Sequence, residues 1–265
     1  EKRQLVSDLS KYTVASITPV IIDPDTTFII LNVQFKYDSS KTTSALSEVE
    51  SEVVSAITSY DTSNLGEFEK LFRHSQVTRL VDDANVSVLS NTTNVILGKF
   101  FTPTTTASAS YYIYFNNALY NPHSGHNSAA GGILSSTGFF ISGDTTNEHF
   151  FDDNGEGIIR LYYLQSGARV YVNSTAGTIN YATGEVFIES IFITTISDVD
   201  GVTSTQVRLT VIPNSKDIVP VRNQILKLDL TNSTVTGQVD TVAVGDGTSA
   251  ATYTTSTSYS TPSGY

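Results

Sequence analysis

The amino-terminal part of the chain alternates apolar and polar positions with a period of two. Two strand-like runs lie between Lys11 and Asp38, on either side of the turn sequence Asp23-Pro24-Asp25-Thr26. In the second run, odd positions from Thr27 to Tyr37 form one face and even positions form the other. Proline presets φ for a turn, and aspartate can bond its neighbouring backbone. The pattern predicts a β-hairpin whose second strand starts buried on both faces and finishes with one solvent-exposed face.

The period then changes to 3.6 residues. Apolar side chains recur at steps of three and four from Leu46 to Tyr60, with glutamates between them. This spacing predicts an amphipathic helix over about 43–60. A second helix is predicted from Asn64, with its phenylalanines on one side and Glu69 paired with Arg73 on the surface. A shorter helical turn before Asp82-Asp83, and then a strand or hairpin, complete this region.

The composition changes at 102–106, where threonine and proline dominate, and helical periodicity is lost beyond that point. Short apolar runs follow, separated by turn sequences that tolerate positive φ, which predicts antiparallel hairpins. The predicted strands are Tyr111 to Phe115, Ile158 to Leu164, Arg169 to Val172, Gly184 to Thr195, Thr205 to Ile212 and Gln224 to Leu230.

These patterns predict an α+β fold in three parts. Residues 1–103 form an α+β domain with the hairpin, two helices and a strand, and residues 104–230 form a mostly antiparallel all-β region. Residues 231–265 contain 16 Ser or Thr and no Lys, Arg, His or Glu. A segment too polar to form its own core is usually ordered along another surface. We therefore expect this tail to be extended and docked on a sheet or a neighbouring chain.

Composition excludes several functions. The chain has 15 Lys and Arg against 26 Asp and Glu, a net charge of −11, and its cations are scattered. Nucleic-acid binding needs clustered cations along a phosphate track, so it is not expected. Without cysteine there is no disulfide, thiolate nucleophile or zinc–thiolate site. The longest apolar run, Tyr111 to Phe115, is far shorter than the roughly 18–20 residues of a membrane-spanning helix.

Candidate chemistry is sparse. His123 and His126 lie three apart in a glycine-rich loop, and with His149 and a carboxylate from Asp144 or Glu148 they could bind zinc as in a metal hydrolase. Solvated loop histidines are the plainer interpretation, and His74 is interpreted as a surface or helix-packing residue. The acidic pairs Asp82-Asp83 and Asp198/Asp200 have plainer explanations at a helix end and in a tight turn. We assign no catalytic, cofactor-binding or metal-binding residue from the sequence.

The acidic sequence from Asp152 to Gly157 partly resembles a calcium loop. Aligning it with an EF-hand places Tyr163 where a bidentate glutamate is required, so the match fails at its strongest ligand. A hairpin turn between two strands is the better interpretation.

Exposed aromatics suggest a binding module as the alternative function. Tyr111, Tyr112 and Tyr114, together with the loop Asn121 to Gly143, could present sugar-stacking rings and amide donors in a surface adhesin. The plainer interpretation is a strand with alternating core and surface rings.

An ordered set of motifs covers about residues 11–100. The motifs are Ser16-Ile17-Thr18-Pro19-Val20-Ile21-Ile22-Asp23-Pro24, the strand from Phe28 to Tyr37, the helix ending at Tyr60, Asn64-Leu65-Gly66-Glu67-Phe68, and Phe72-Arg73-His74-Ser75. The set resembles the baseplate wedge proteins of contractile-tailed phages, and it is most similar to the C-terminal part of the T-even type within the baseplate J-like family.

The resemblance implies a structural virion protein and not an enzyme: a self-associating scaffold of the wedge ring around the tail hub. Its expected partners are a second copy, as a homodimer, and other wedge proteins, with no cofactor, nucleic acid, membrane or small-molecule substrate. It would be located in the tail baseplate of the virion, and in the host cytoplasm during assembly. Since the chain holds no methionine, we also expect it to be the carboxyl-terminal piece of a longer subunit.

Overall fold

The computed structural model describes residues 2–12, 23–126, 131–198 and 203–241, and these contain three helices and thirteen strands. The helices are α1 Lys2–Ser10, α2 Leu46–Asn64 and α3 His74–Asp83. The strands are β1 Asp25–Tyr37, β2 Val88–Phe101, β3 Ala109–Tyr114, β4 Ser135–Ser136, β5 Phe139–Ile141, β6 Asp144–Asp153, β7 Ile158–Gln165, β8 Ala168–Asn180, β9 Glu185–Ile191, β10 Ile193–Ile196, β11 Val207–Val211, β12 Gln224–Leu228 and β13 Thr234–Val239.

The described strands join in one sheet. Its main order is β12-β1-β2-β11-β4-β6-β7-β8-β9-β3; β13 also pairs with β1, while β5 pairs with β6 and β10. Strands β12 and β13 run parallel to β1 along successive parts of its length, and the other described pairings are antiparallel. The mixed α+β class predicted from the sequence is confirmed.

Strand β1 is the centre of the helix-covered part of the sheet. Its odd positions from Thr27 to Tyr37 are buried, and Gln34 and Lys36 on the other face are exposed. Helices α2 and α3 lie over the buried face and contribute Val49, Val53, Ile57, Val77 and Val81 to the same apolar core. The predicted change from two buried faces to one is confirmed. The antiparallel partner of β1 is β2, and residues 13–22, which contain most of the predicted first hairpin strand, lie outside the described residues.

The helix predicted from Asn64 is wrong. Helix α2 continues to Asn64, and the chain then becomes irregular up to α3, with positive φ at Gly66 (83°) and Glu69 (65°). Phe72 exchanges two backbone hydrogen bonds with Ile218, both 3.0 Å. Its neighbour Arg73 pairs with Asp217 at 2.9 Å and not with Glu69. Long-range bridges therefore replace the local helical bonds that the apolar spacing predicted.

Replacing Glu69 with glycine distinguishes these two conformations. A left-handed conformation costs a non-glycine residue roughly 1–2 kcal/mol. Glycine avoids this cost, but it also increases the entropy of the unfolded chain, which offsets part of the gain. We expect Glu69→Gly to raise the free energy of unfolding by about 0.5–1 kcal/mol. A helical segment would instead be destabilised by about 1 kcal/mol, as we expect for the control Ala56→Gly inside α2. Urea titrations of the two variants measure the difference in sign.

The remaining strand predictions are confirmed, with one run, Gly184 to Thr195, divided between β9 and β10. Strands β11, β12 and β13 return to the amino-terminal strands, since β11 pairs with β2 and the other two pair with β1. The sheet thus runs across position 103. The three-part division at 103 and 230 stays a prediction, and residues 242–265 of the expected tail lie outside the described residues. Among the described residues, no helix is both long and apolar enough to cross a membrane.

Candidate functional site

The turn between β6 and β7 is organised by a buried carboxylate. Asp153 Oδ1 accepts hydrogen bonds from the backbone N–H groups of Ile133 (2.6 Å) and Leu134 (2.7 Å). Its Oδ2 accepts from Gly155 N (3.0 Å) and from the Tyr181 hydroxyl (2.6 Å). Asp153 therefore joins three separate segments. The predicted hairpin turn is confirmed, and this carboxylate serves the turn itself.

The adjacent Asp152 is also buried and is surrounded by cationic groups. It accepts hydrogen bonds of 2.9 Å from Arg160 Nε, from Arg169 Nη1 and from the Tyr171 hydroxyl. The Arg160 guanidinium also lies over the Tyr171 ring, 4.3 Å from its centroid. Burial raises the pKa of Asp152, and the hydrogen bonds from Arg160 and Tyr171 oppose that shift. The network fixes the β7–β8 hairpin onto β6.

The histidines are not gathered into one site. His123 and His126 lie together in the loop, with Nδ1 of His126 2.9 Å from Nε2 of His123. His149 is fully buried in β6, 3.6 Å from the Asp144 carboxylate, and burial lowers its pKa. Within the described residues there is no group of three or more metal-ligating side chains.

His74 has a plain structural setting, as expected. Its ring Nε2 lies 2.9 Å from the Thr93 carbonyl oxygen, and its backbone N–H donates to Asp217. This hydrogen bond and the one from Arg73 lower the pKa of Asp217. The residue joins the start of α3 to β2.

The first predicted acidic pair has structural partners, and the second is only partly within the described residues. Asp82 accepts a hydrogen bond from Asn91, and Asp83 pairs with Arg79. Asp200 of the second pair lies outside the described residues.

Aromatic side chains cover the outer side of β3, the last strand of the main sheet order. Tyr112 is 59% exposed and Tyr114 46% exposed, and their rings are nearly parallel with centroids 6.3 Å apart. Tyr112 also contacts Phe187 on β9, with ring centroids 4.5 Å apart. Tyr111 turns the other way and packs against Phe101 at 4.8 Å. The predicted alternation of core and surface rings is confirmed.

Cross-strand register extends this aromatic surface over two more strands, because directly paired residues share a face of the sheet. Tyr112 pairs with Phe187, which pairs with Thr178 of β8. We call the surface formed by these residues and the next paired row the tyrosine face. Its six members are Tyr112, Tyr114, Glu185, Phe187, Thr178 and Asn180. The opposite face of the same strands, with Ile113, Val186 and Ile179, is buried.

An open cavity of about 620 Å³ adjoins the tyrosine face and shares three of its residues, Thr178, Asn180 and Glu185. We call it the polar cavity. Its other walls come from the loop after β3, the β6–β7 turn and the β8–β9 turn. The lining residues are Asn121, Ser124, Gly155, Glu156, Gly157, Thr178, Ile179, Asn180, Tyr181, Ala182 and Glu185.

Two features of the polar cavity bear on its chemistry. Its lining contains two glutamates, two asparagines and hydroxyl groups, and none of the lining residues is Lys, Arg or His. Asn121 donates through Nδ2 to the Gly155 carbonyl oxygen at 3.1 Å, whereas its buried Oδ1 accepts no hydrogen bond from the described residues. A buried acceptor without a donor is unfavourable, so a hydroxyl group that reached it would be stabilised.

Sequence reasoning found the tyrosines but missed the cavity. The sequence indicates the loop containing Asn121 as a candidate but neither Asn180 nor Glu185. Glu185 lies in a predicted strand, whereas Asn180 lies between the predicted strands 169–172 and 184–195. Period-two alternation shows which residues of one strand share a face, but the pairing register between β3, β9 and β8 cannot be read from it.

The described residues thus define a mixed α+β sheet protein whose buried ionic groups hold strands and turns together. Residues 25–99 match the family described as baseplate structural protein gp6, C-terminal domain III. The chain is also 28% identical over 95 residues to the baseplate wedge protein gp6 of Enterobacteria phage T4, which is 36% of this chain and 14% of that protein. The chain therefore spans only a small part of the curated relative that it matches. Both matches support a place in a baseplate wedge protein family.

Proposed function

We propose that this protein is a structural subunit of a phage tail baseplate that associates with itself and with other wedge proteins in the ring around the tail hub. One observation carries the proposal: the family match over residues 25–99 covers β1, α2, α3 and nearly all of β2. The same proposal includes four finer points: membership of the baseplate J-like family, a contractile tail, a homodimeric state and assembly in the host cytoplasm.

The matched segment is a packed unit, which supports a structural role. Strands β1 and β2 pair antiparallel from Phe28 to Tyr37, and α2 and α3 contribute to the core beneath them. The role requires no catalytic group, so we propose that the protein acts without enzyme chemistry, cofactor or metal. The division into 1–103, 104–230 and 231–265 remains part of the proposal.

Four exposed apolar side chains, two within this unit and two on the segment that follows β11, form the apolar patch that we propose as the contact between copies. Phe68, Val219 and Val221 are 54%, 53% and 45% exposed, and Leu71 is 37% exposed. Leu71 lies opposite Val219, because Phe72 and Ile218 form an antiparallel bridge one residue away. Obligate interfaces commonly bury about 2,000 Å² or more with an apolar centre. We propose that this patch is the centre of a two-fold contact, which closes with one copy on each side.

Light scattering coupled to gel filtration tests the proposal. We expect about twice the 28.6 kDa of the single chain at micromolar concentration. The double substitution Phe68→Ser with Val219→Ser should weaken dimerisation at least about tenfold, because it removes apolar side chains at the centre of the contact. Val86→Ser, at a valine that is 81% exposed elsewhere, is the matched control and should leave the mass unchanged.

The two parts of the proposal fail separately. A strictly monomeric mass at high concentration would contradict self-association. Association with other wedge proteins is tested by gel filtration of the chain mixed with those proteins, and an unchanged elution there would contradict the scaffold role.

A further inference from the structure

We propose that the tyrosine face and the polar cavity together form a binding site for a neutral oligosaccharide. The proposal concerns strands β3, β8 and β9, which lie outside the segment matched by the baseplate family. It is independent of the scaffold role and of the apolar patch around Phe68.

The first support is the exposure of the aromatic rings. Tyr112 and Tyr114 leave about half of their surface open to solvent at adjacent outward positions of one strand, and Phe187 braces Tyr112 from the neighbouring strand. A ring held by packing loses little conformational freedom when a ligand stacks on it. The C–H groups on one face of a pyranose ring form an apolar surface that matches such a ring. The two tyrosines therefore offer stacking positions for successive sugar units.

The second support is the continuity between rings and polar groups. Tyr114 pairs directly with Glu185, which pairs with Asn180, and these last two residues line the polar cavity. A ligand stacked on the tyrosines thus reaches carboxylate and amide groups within the same row of the sheet. Carboxylates accept hydrogen bonds, and amides both donate and accept them. Sugar hydroxyls, which do both, complement this set.

The third support is charge. Among the described residues, the side chains that line the polar cavity include Glu156 and Glu185 and no cationic group, and the whole chain carries a net charge of −11. An anionic sugar would bring its charge beside these carboxylates, which is unfavourable in a concave, partly desolvated site. Neutral hydroxyls can donate to the carboxylates without bringing a charge beside them. The site is therefore selective against uronic acids and phosphorylated sugars.

The size of the site indicates an oligomer. The cavity of about 620 Å³ is open, and the tyrosine face continues from it along two strands. A single sugar could not both fill the cavity and cover the two tyrosine rings. One end of the ligand then occupies the cavity, and the sugar units that follow stack on the tyrosines.

Isothermal titration of the purified chain tests this site with three neutral probes, maltohexaose, cellohexaose and hexa-N-acetylchitohexaose, and with hexagalacturonate as the anionic counterpart. We expect saturable binding of at least one neutral probe with a Kd on the order of 0.1–1 mM, and at least about tenfold weaker binding of hexagalacturonate. Tyr112→Ala should weaken binding of the neutral ligand about tenfold, whereas Tyr112→Phe, which keeps the ring, should leave the affinity unchanged.

Matched variants separate the site from general effects. Tyr12→Ala removes a tyrosine that is 88% exposed elsewhere and should not change the affinity. Glu185→Gln should reduce the difference in affinity between the neutral probe and hexagalacturonate, because it removes one of the two carboxylates that repel the anionic sugar. Thermal unfolding of each variant confirms that it is folded.

Three results would overturn the proposal. The first is no saturable binding of any neutral probe, and the second is binding that survives Tyr112→Ala with unchanged affinity. The third is that Tyr112→Ala, with no effect on sugar binding, dissociates a protein complex in light scattering, which would make the tyrosine face a protein–protein contact.

Discussion

Replacing Asp153 with asparagine is expected to lower the free energy of unfolding by about 3 kcal/mol, although the two side chains have almost the same shape. Four donors converge on this buried carboxylate, three of them backbone N–H groups. An amide has only one acceptor oxygen, so its nitrogen must face either Ile133 and Leu134 or Gly155. At least one buried N–H then has no acceptor, and the remaining bonds lose their charge assistance.

The packing around Asp153 leaves little freedom to compensate. Gly132 has φ of 73°, and a β-carbon there would overlap the Asp153 carboxylate, so the chain from 132 to 134 passes directly over it. Tyr181 is held from the other side, and burial together with the bond to Asp153 raises the pKa of its hydroxyl well above the usual range. The loop cannot move away without losing these contacts as well.

Thermal unfolding followed by circular dichroism measures the effect, which should be a decrease in Tm of roughly 10 °C for a chain of this length. Tyr181→Phe removes one of the four donors and should cost about 1 kcal/mol. Asp83→Asn removes a carboxylate that is 63% exposed and paired with Arg79, and should cost less than about 1 kcal/mol. If Asp153→Asn lowered the free energy of unfolding as little as Asp83→Asn does, the Asp153 carboxylate would not organise the turn.

The contrast between the turn and its carboxylates shows what one sequence can reveal. Local spacing was sufficient to predict the hairpin, because two apolar runs flank Asn154-Gly155. The function of Asp153 depends on Ile133 and Tyr181, which lie 20 and 28 residues away. Such partners are determined by the pairing of β4 with β6, of β6 with β7 and of β7 with β8, and no local pattern encodes these pairings.

The same distinction explains the region after α2. Phe68, Leu71 and Phe72 have helical spacing, so a periodicity argument predicts a helix there. Phe68 and Phe72 instead form bridges with Ile225 and Ile218, which lie about 150 residues further along the chain. These bridges replace the backbone bonds that a helix would have made. Gly66 and Glu69, both at positive φ, are the local signs of this path, but only the glycine was visible as a breaker in the sequence.

The candidate binding site was predicted in part for a related reason. The outward direction of Tyr112 follows from alternation within β3, and so does the inward direction of Tyr111. The meeting of Tyr114, Glu185 and Asn180 in one row requires the registers of two strand pairs. A shift of one residue in either pairing would move these side chains to opposite faces.

Replacing Phe72 with alanine is expected to lower the free energy of unfolding by about 3–5 kcal/mol, the range for a fully buried phenylalanine. The ring is 0% exposed and meets Tyr60 of α2 edge-on, with centroids 6.0 Å apart. The Tyr60 hydroxyl in turn accepts the backbone N–H of Arg73 at 3.1 Å. Removing the ring leaves a cavity between α2 and the segment that leads into α3.

The loss should also have a local signature, because Phe72 anchors the extended segment to residue 218 through two backbone bonds. Hydrogen exchange of the Phe72 and Ile218 amides should become faster than that of β1 in the variant, as the segment opens before the sheet does. Leu71→Ala is the matched control, since its side chain is 37% exposed and should cost about 1 kcal/mol or less. Equal losses for Phe72→Ala and Leu71→Ala would mean that the ring is not the anchor. Unchanged exchange at Ile218 would mean that the bridge holds without the ring, and that the α2–α3 connection is fixed by Arg73 and Asp217 instead.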